Sequence, residues 1–104
     1  MSDSNQNNLD PKFFERADAH INLSNDQLGE VNPGKVSASM MYATARFNAY
    51  ARWLRFTARD EMVSERDEAI RFYVEQYRIM LEENLDDYIN NFEHYREISF
   101  PKPD

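Results

Sequence analysis

The sequence predicts an all-α fold of three helices, two of them long, in a bundle or layered arrangement completed by a second chain. Three observations carry that expectation. Apolar residues recur at steps of three and four through most of residues 10–97. Glycine and proline are scarce, at two and four, and none falls between Lys35 and Phe100. The middle of the chain is also apolar on two opposite sides, a pattern that asks for cover on both.

The elements follow in order. Residues 1–9 are polar and asparagine-rich with no apolar period, so they read as a disordered tail. Asp10 followed by Pro11 reads as an N-cap and first-turn proline, and Phe13, Phe14, Ala17, Ile21 and Leu28 then share one helical face. Gly29 and the run from Val31 to Gly34 should end that helix and turn the chain. A second helix of roughly 25 residues, about 38 Å, is expected from Lys35 to about Asp60. Ser64 to Asp67 resembles a capping box with Asp in the last place, which puts the break at residues 59–64 and the next helix start there, although that stretch holds no glycine or proline and a continuous or kinked helix stays open. Ile70, Tyr73, Tyr77, Leu81, Leu85, Tyr88, Phe92 and Tyr95 carry the third helix towards Pro101 and Pro103. Residues 98–104 read as an extended tail, which leaves 10–97 as a single helical domain.

Composition narrows the function. The chain has no cysteine, so disulfides and thiolate chemistry are excluded. No apolar run spans a bilayer and the start, MSDSNQNNLD, has no signal-peptide pattern, so the expected place is the cytoplasm, away from membranes. A net charge of −7 argues against nucleic acid as a partner. That total hides a segregation: Lys35, Arg46, Arg52, Arg55 and Arg59 stand in a stretch without an acid, whereas residues 60–97 carry twelve acids against four arginines.

The second helix is the most informative element. Val36, Met40, Ala43, Phe47, Tyr50 and Leu54 make one apolar stripe, and Ala38, Tyr42, Ala45, Ala49, Trp53 and Phe56 make another on the far side. Either the first and third helices flank it from both sides, or one stripe meets its own chain and the other meets a second copy. Phe72 and Ile79, behind the main arc of the third helix, favour the second arrangement, a homodimer through the second helix.

Three stretches read together carry a resemblance: Phe13 to Gln27 (FFERADAHINLSNDQ), Lys35 to Asn48 (KVSASMMYATARFN) and Glu82 to Ile89 (EENLDDYI). With them the chain resembles a small, mainly proteobacterial family of domains of unknown function, over most of residues 10–95 but not over 49–65. The resemblance implies a bacterial, cytosolic helical domain and transfers no catalytic residue.

Sharper chemistry finds little support. Glu82, Glu83, Asp86 and Asp87 stand a turn apart and read as a solvated acidic face rather than a metal site. Neither His20 nor His94 stands in the Glu-x-x-His spacing of a di-iron bundle, and no glycine-rich phosphate loop occurs. Arg52, Arg55 and Arg59 interleave with Trp53 and Phe56, yet the surrounding acids weigh against a stacking platform for nucleic acid. The sequence therefore reads as a protein-binding or self-assembling module that is not an enzyme and carries no metal or cofactor. The alternative is a sensor or enzyme with a ligand pocket between helices, lined by Tyr42, Arg46, Asn48, Trp53 and Tyr88.

Overall fold

A computed structural model describes residues 10–29 and 31–103; the tail expected over 1–9 lies outside them. Among the described residues there are four helices and no strand: α1 (Phe13–Gln27), α2 (Pro33–Trp53), α3 (Arg59–Asn90) and α4 (Phe92–Ser99). The all-α class is the expected one, but the helices number four because the third expected helix is interrupted at Asn91. No described helix is long and apolar enough to cross a membrane. The chain divides into two units, Met1–Ala51 and Arg52–Asp104.

In the first unit, Asp10 prepares α1. Its Oδ1 accepts from the Lys12 backbone N–H at 3.2 Å, its carbonyl accepts from the Phe13 N–H at 3.1 Å, and its Oδ2 receives the Arg16 guanidinium as an ion pair. A carboxylate here satisfies orphan N–H groups and opposes the helix dipole. The α1 C-terminus closes with the Leu28 N–H on the Asn25 carbonyl at 3.2 Å. Gly29 does not adopt the left-handed conformation expected of a helix-ending glycine, since no described glycine has a positive φ.

The second helix starts two residues earlier than expected. Asn32 Oδ1 accepts from the Lys35 N–H at 3.1 Å, the bond an N-cap makes to the third helical residue, and Pro33 takes the first helical position, where its missing N–H costs nothing. The pair Pro33-Gly34 thus opens α2 rather than belonging to the turn before it.

In the second unit the break between α2 and α3 falls at residues 54–58, not at 59–64. Ser64 is no cap. It lies inside α3, where its hydroxyl donates to the Glu61 carbonyl at 2.8 Å. The start of α3 is held by Glu61 instead: its Oε1 accepts from the Thr57 and Ala58 backbone N–H groups at 3.2 and 3.3 Å and from the Thr57 hydroxyl at 3.3 Å. That is the backward half of a capping box, with Ala58 at the N-cap offering no oxygen for the forward half.

At Asn91 (φ −120°, ψ 30°) the helical path breaks and α4 begins at once. Asn91 Nδ2 donates to the Asp87 carbonyl at 3.0 Å and to Asp87 Oδ1 at 2.9 Å, and the Tyr95 hydroxyl donates to Asp87 Oδ2 at 2.6 Å. The Tyr88 and Tyr95 rings lie 4.4 Å apart by centroid, so one residue pair on each side of the break is in contact.

Burial is slight throughout. Among the described residues only Val36, at 6% exposure, is buried. Tyr42, Phe47, Trp53, Leu54, Val74 and Leu85 are all more than half exposed.

Candidate functional site

What the described residues offer is a pair of surfaces, each arising from helical periodicity. On α2 the stripe of Met40, Phe47 and Tyr50 is 37%, 64% and 50% exposed, and on the opposite side Tyr42 and Trp53 are 70% and 59% exposed. Three alanines, Ala38, Ala45 and Ala49, fill out that second side and keep its relief low. On α3, Ile70, Val74, Tyr77, Leu81, Leu85 and Tyr88 follow one another at steps of three and four, and every one is between 41% and 62% exposed. Bare apolar stripes of this length are unusual on a stable lone chain and mark surfaces that meet something.

The two surfaces differ in charge. Helix α2 carries three cations, Lys35, Arg46 and Arg52, and no acid, whereas α3 carries ten acids against four arginines. The arginines of α3 are engaged along their own helix: Arg78 meets Glu75 at 2.5 Å and Glu82 at 2.6 Å, Arg71 meets Glu68 at 2.8 Å, and Arg66 meets Asp67 at 2.9 Å. These contacts hold the Arg78 and Arg71 guanidinium groups firmly protonated, chiefly through the hydrogen bonds they donate to Glu75 and Glu68 respectively, and push the Glu75 carboxyl below the usual carboxylate range through the bond from Arg78. Arg52 is placed differently. Its guanidinium carbon lies 5.2 Å from the Phe72 ring centroid and 5.3 Å from that of Tyr73, a cation–π arrangement that ties the end of α2 to the middle of α3.

The residues proposed for a ligand pocket are placed as follows. Tyr42 and Arg46 stand one turn apart on α2, both exposed, while Asn48 is half-buried and about 200° around the helix from Arg46. Within the second unit, Trp53 adjoins Arg52, which sits over Phe72 and Tyr73, and Tyr88 lies fifteen positions beyond Tyr73, about 22 Å further along α3. Trp53 and Tyr88 are therefore not neighbours within one chain. Tyr88 is engaged with Tyr95.

The acidic group at the end of α3 is likewise committed: Glu82 pairs with Arg78, and Asp87 accepts from Asn91 and Tyr95. Among the described residues no cluster of three or more His, Asp or Glu side chains is arranged to hold a metal ion. Asp18, Asn22 and Asn25 on α1 are exposed.

Sequence reasoning missed the Asp87–Asn91–Tyr95 joint and the Arg52 contact. The four-residue spacing of Asp87, Asn91 and Tyr95 was visible, but it is also what any continuous helix shows, so only the backbone break gives it meaning. The Arg52 contact joins residues twenty positions apart and has no local signature.

Against curated proteins and against solved structures the chain finds no match. A family model described as a protein of unknown function (DUF3144) matches residues 13–89, which takes in α1, α2 and nearly all of α3. That span is well over half of the 104 residues, and the chain belongs to this family of proteins of unknown function.

Proposed function

We propose that the protein is a helical self-assembly module, acting through association with a second copy of itself and performing no chemistry of its own. The supporting observation is the burial pattern: of the described residues Val36 alone is buried, while α2 and α3 present apolar stripes to solvent over most of their length. Ordering a chain costs about 1–2 kcal/mol per residue in backbone entropy, and burial of apolar surface is the main term available to offset it. A chain whose described residues bury one side chain does not meet that cost through them alone. Its folded state has to be completed by another apolar surface, and the bundle anticipated from the sequence is then made by two chains.

A two-fold homodimer is the simplest closed assembly that covers the same stripes on both partners. Helix α2, apolar on two sides, is its centre: one stripe meets its own chain and the other meets the partner copy. In this reading Tyr42, Arg46, Asn48, Trp53 and Tyr88 are interface residues rather than the lining of a small-ligand pocket.

Sedimentation equilibrium across a wide concentration range tests the proposal. The expected result is twice the 12.4 kDa chain mass, with a melting temperature that rises with protein concentration. A 12.4 kDa species that stays helical and melts cooperatively at every concentration overturns it.

A further inference from the structure

The break at Asn91 divides a stretch whose sequence suits one helix. Neither glycine nor proline falls between Lys35 and Phe100, and the Ile70–Tyr88 stripe continues in register beyond the break: on an unbroken helix Phe92 and Tyr95 stand within about 40° of Ile70. The backbone ladder is kept on both sides of Asn91, whose N–H donates to the Asp87 carbonyl and whose carbonyl accepts from the Tyr95 N–H, both at 3.0 Å. Local preference therefore does not explain the bend.

An asparagine reaching back to a carbonyl is not sufficient to cause it. Asn84 Nδ2 donates to the Met80 carbonyl at 2.8 Å, the same four-residue reach as Asn91 Nδ2 to the Asp87 carbonyl, and α3 runs on unbroken through Asn84. What Asn84 lacks is a carboxylate four residues before it, since position 80 is Met and position 87 is Asp. Asp87 Oδ1 takes the second Asn91 bond at 2.9 Å, and Asp87 Oδ2 takes the Tyr95 hydroxyl at 2.6 Å. The hydroxyl bond and the Tyr88–Tyr95 ring contact, with centroids 4.4 Å apart, belong to the bend alone. On an unbroken helix eight residues rise about 12 Å and seven about 10.5 Å, and the side chains all lean towards the N-terminus, so neither pair would meet.

We propose that Asp87, Asn91 and Tyr95 form a latch, and that α3 and α4 have two states: a bent one with the latch closed, and a continuous helix from Arg59 to Ser99 once it opens. The side chains that hold the bend are exposed or half-buried and no residue of α4 is buried, so no core fixes the bent state. Opening breaks these side-chain contacts and gives the Phe92 and His94 amides the Tyr88 and Asn90 carbonyls as partners. It also adds Phe92 and Tyr95 to the α3 stripe, which lengthens from about 27 Å to about 38 Å. The latch therefore sets how much apolar surface α3 presents. The proposal concerns a single chain and does not depend on self-assembly.

Asp87→Ala tests this, because it leaves Asn91 with only the back-bond that Asn84 makes inside α3. Nuclear magnetic resonance reads three changes. The Asn91 carbon shifts are expected to move to helical values, the Phe92 and His94 amides to exchange about 10-fold more slowly than in the wild type, and the Tyr88–Tyr95 ring contact to vanish from the Overhauser spectrum. Tyr95→Phe keeps the Asn91–Asp87 bonds and the ring contact, so it is expected to stay bent. Asn91→Ala removes both Nδ2 bonds and places the strongest helix former at the break; it is expected to give the same three changes and serves where Asp87→Ala does not fold. A ring contact and non-helical Asn91 shifts that persist in Asp87→Ala overturn the latch. Faster exchange throughout residues 92–99 with loss of their helical shifts overturns the continuous helix, since α4 then only detaches.

Discussion

Helices α2 and α3 solve the same problem in opposite ways. Both are long, and both are apolar along exposed stripes, but α3 balances its cations internally and α2 does not. Arg66, Arg71 and Arg78 each meet an acid of α3, three or four positions away in the pairs of Arg71 and Arg78. The cations of α2 have no acid on their helix at all. Helix α3 even supplies its own N-terminal cap through Glu61 and its own C-terminal closure through Asp87. The contrast teaches that α3 is stabilised largely by short-range contacts, whereas the charge and the two apolar sides of α2 are answered only by groups outside it.

The most severe way to break this comparison is to place a charge on the exposed apolar stripe of α3. Leu81→Asp sets a carboxylate in the centre of the exposed α3 stripe, where it would be desolvated on association. The expected outcome is complete loss of the dimer at micromolar concentration, seen as a single-chain mass in light scattering. Ile98→Asp is the control: Ile98 is 61% exposed but lies on α4, outside the stripe, and the substitution is expected to leave association within about two-fold. Equal loss from both substitutions would mean that general hydrophobicity, and not the α3 stripe, drives assembly.

How far the sequence reveals these features depends on the range of the interaction concerned. Helical periodicity is local, and it placed the helical segments, although Leu54 and Phe56, the last members of the two α2 stripes, fall in the break that follows the helix. Helix boundaries were less legible, because several residues compete to cap the same turn. Ser64 looks like a better cap than Ala58, yet the Glu61 carboxylate reaching back to Thr57 and Ala58 settles the cap of α3 six residues earlier. The break at Asn91 was invisible because the apolar period from Tyr88 through Phe92 to Tyr95 continues across it at steps of four and three. Of the pocket residues, Tyr42 and Arg46 are adjacent as expected from their spacing, but whether side chains from different elements converge depends on tertiary geometry that periodicity does not contain.

A smaller effect sharpens the view of α3 and α4 as self-supporting. Tyr95→Phe removes the hydroxyl that donates to Asp87 Oδ2 and leaves the ring stacked on Tyr88. Amide exchange in residues 92–99 is expected to accelerate, while α2 is untouched. The wild-type hydroxyl carries its own signature. Its bond to Asp87 raises the Tyr95 pKa above the usual value of 10.0, since ionisation would break that bond and set two negative charges together. Because the folded value is raised, the contribution is complete below the unfolded value near pH 10 and is lost as pH rises through the folded one. Absorbance titration should show a late tyrosine ionisation step, and Tyr95→Phe should abolish it.

The smallest expected effect lies at α1 and measures how much one local ion pair does when no extensive packing backs it. Asp10 is held below the ordinary aspartate range first by its hydrogen bond from the Arg16 guanidinium and then by the Lys12 backbone N–H. A depressed folded value means the contribution is present above the unfolded pKa of about 3.9 and disappears as pH falls through the lower, folded value. Acidification from about pH 4 downward should therefore fray the first turn of α1. Asp10→Asn removes the charge at every pH but keeps an oxygen for the Lys12 N–H, so it separates the ion pair from the cap. The Phe13 and Arg16 amide shifts should lose their acid-range titration in this variant while α1 remains helical at neutral pH. If Asp10→Asn instead melts α1 outright at neutral pH, α1 depends on that single contact far more than α3 depends on any one of its ion pairs.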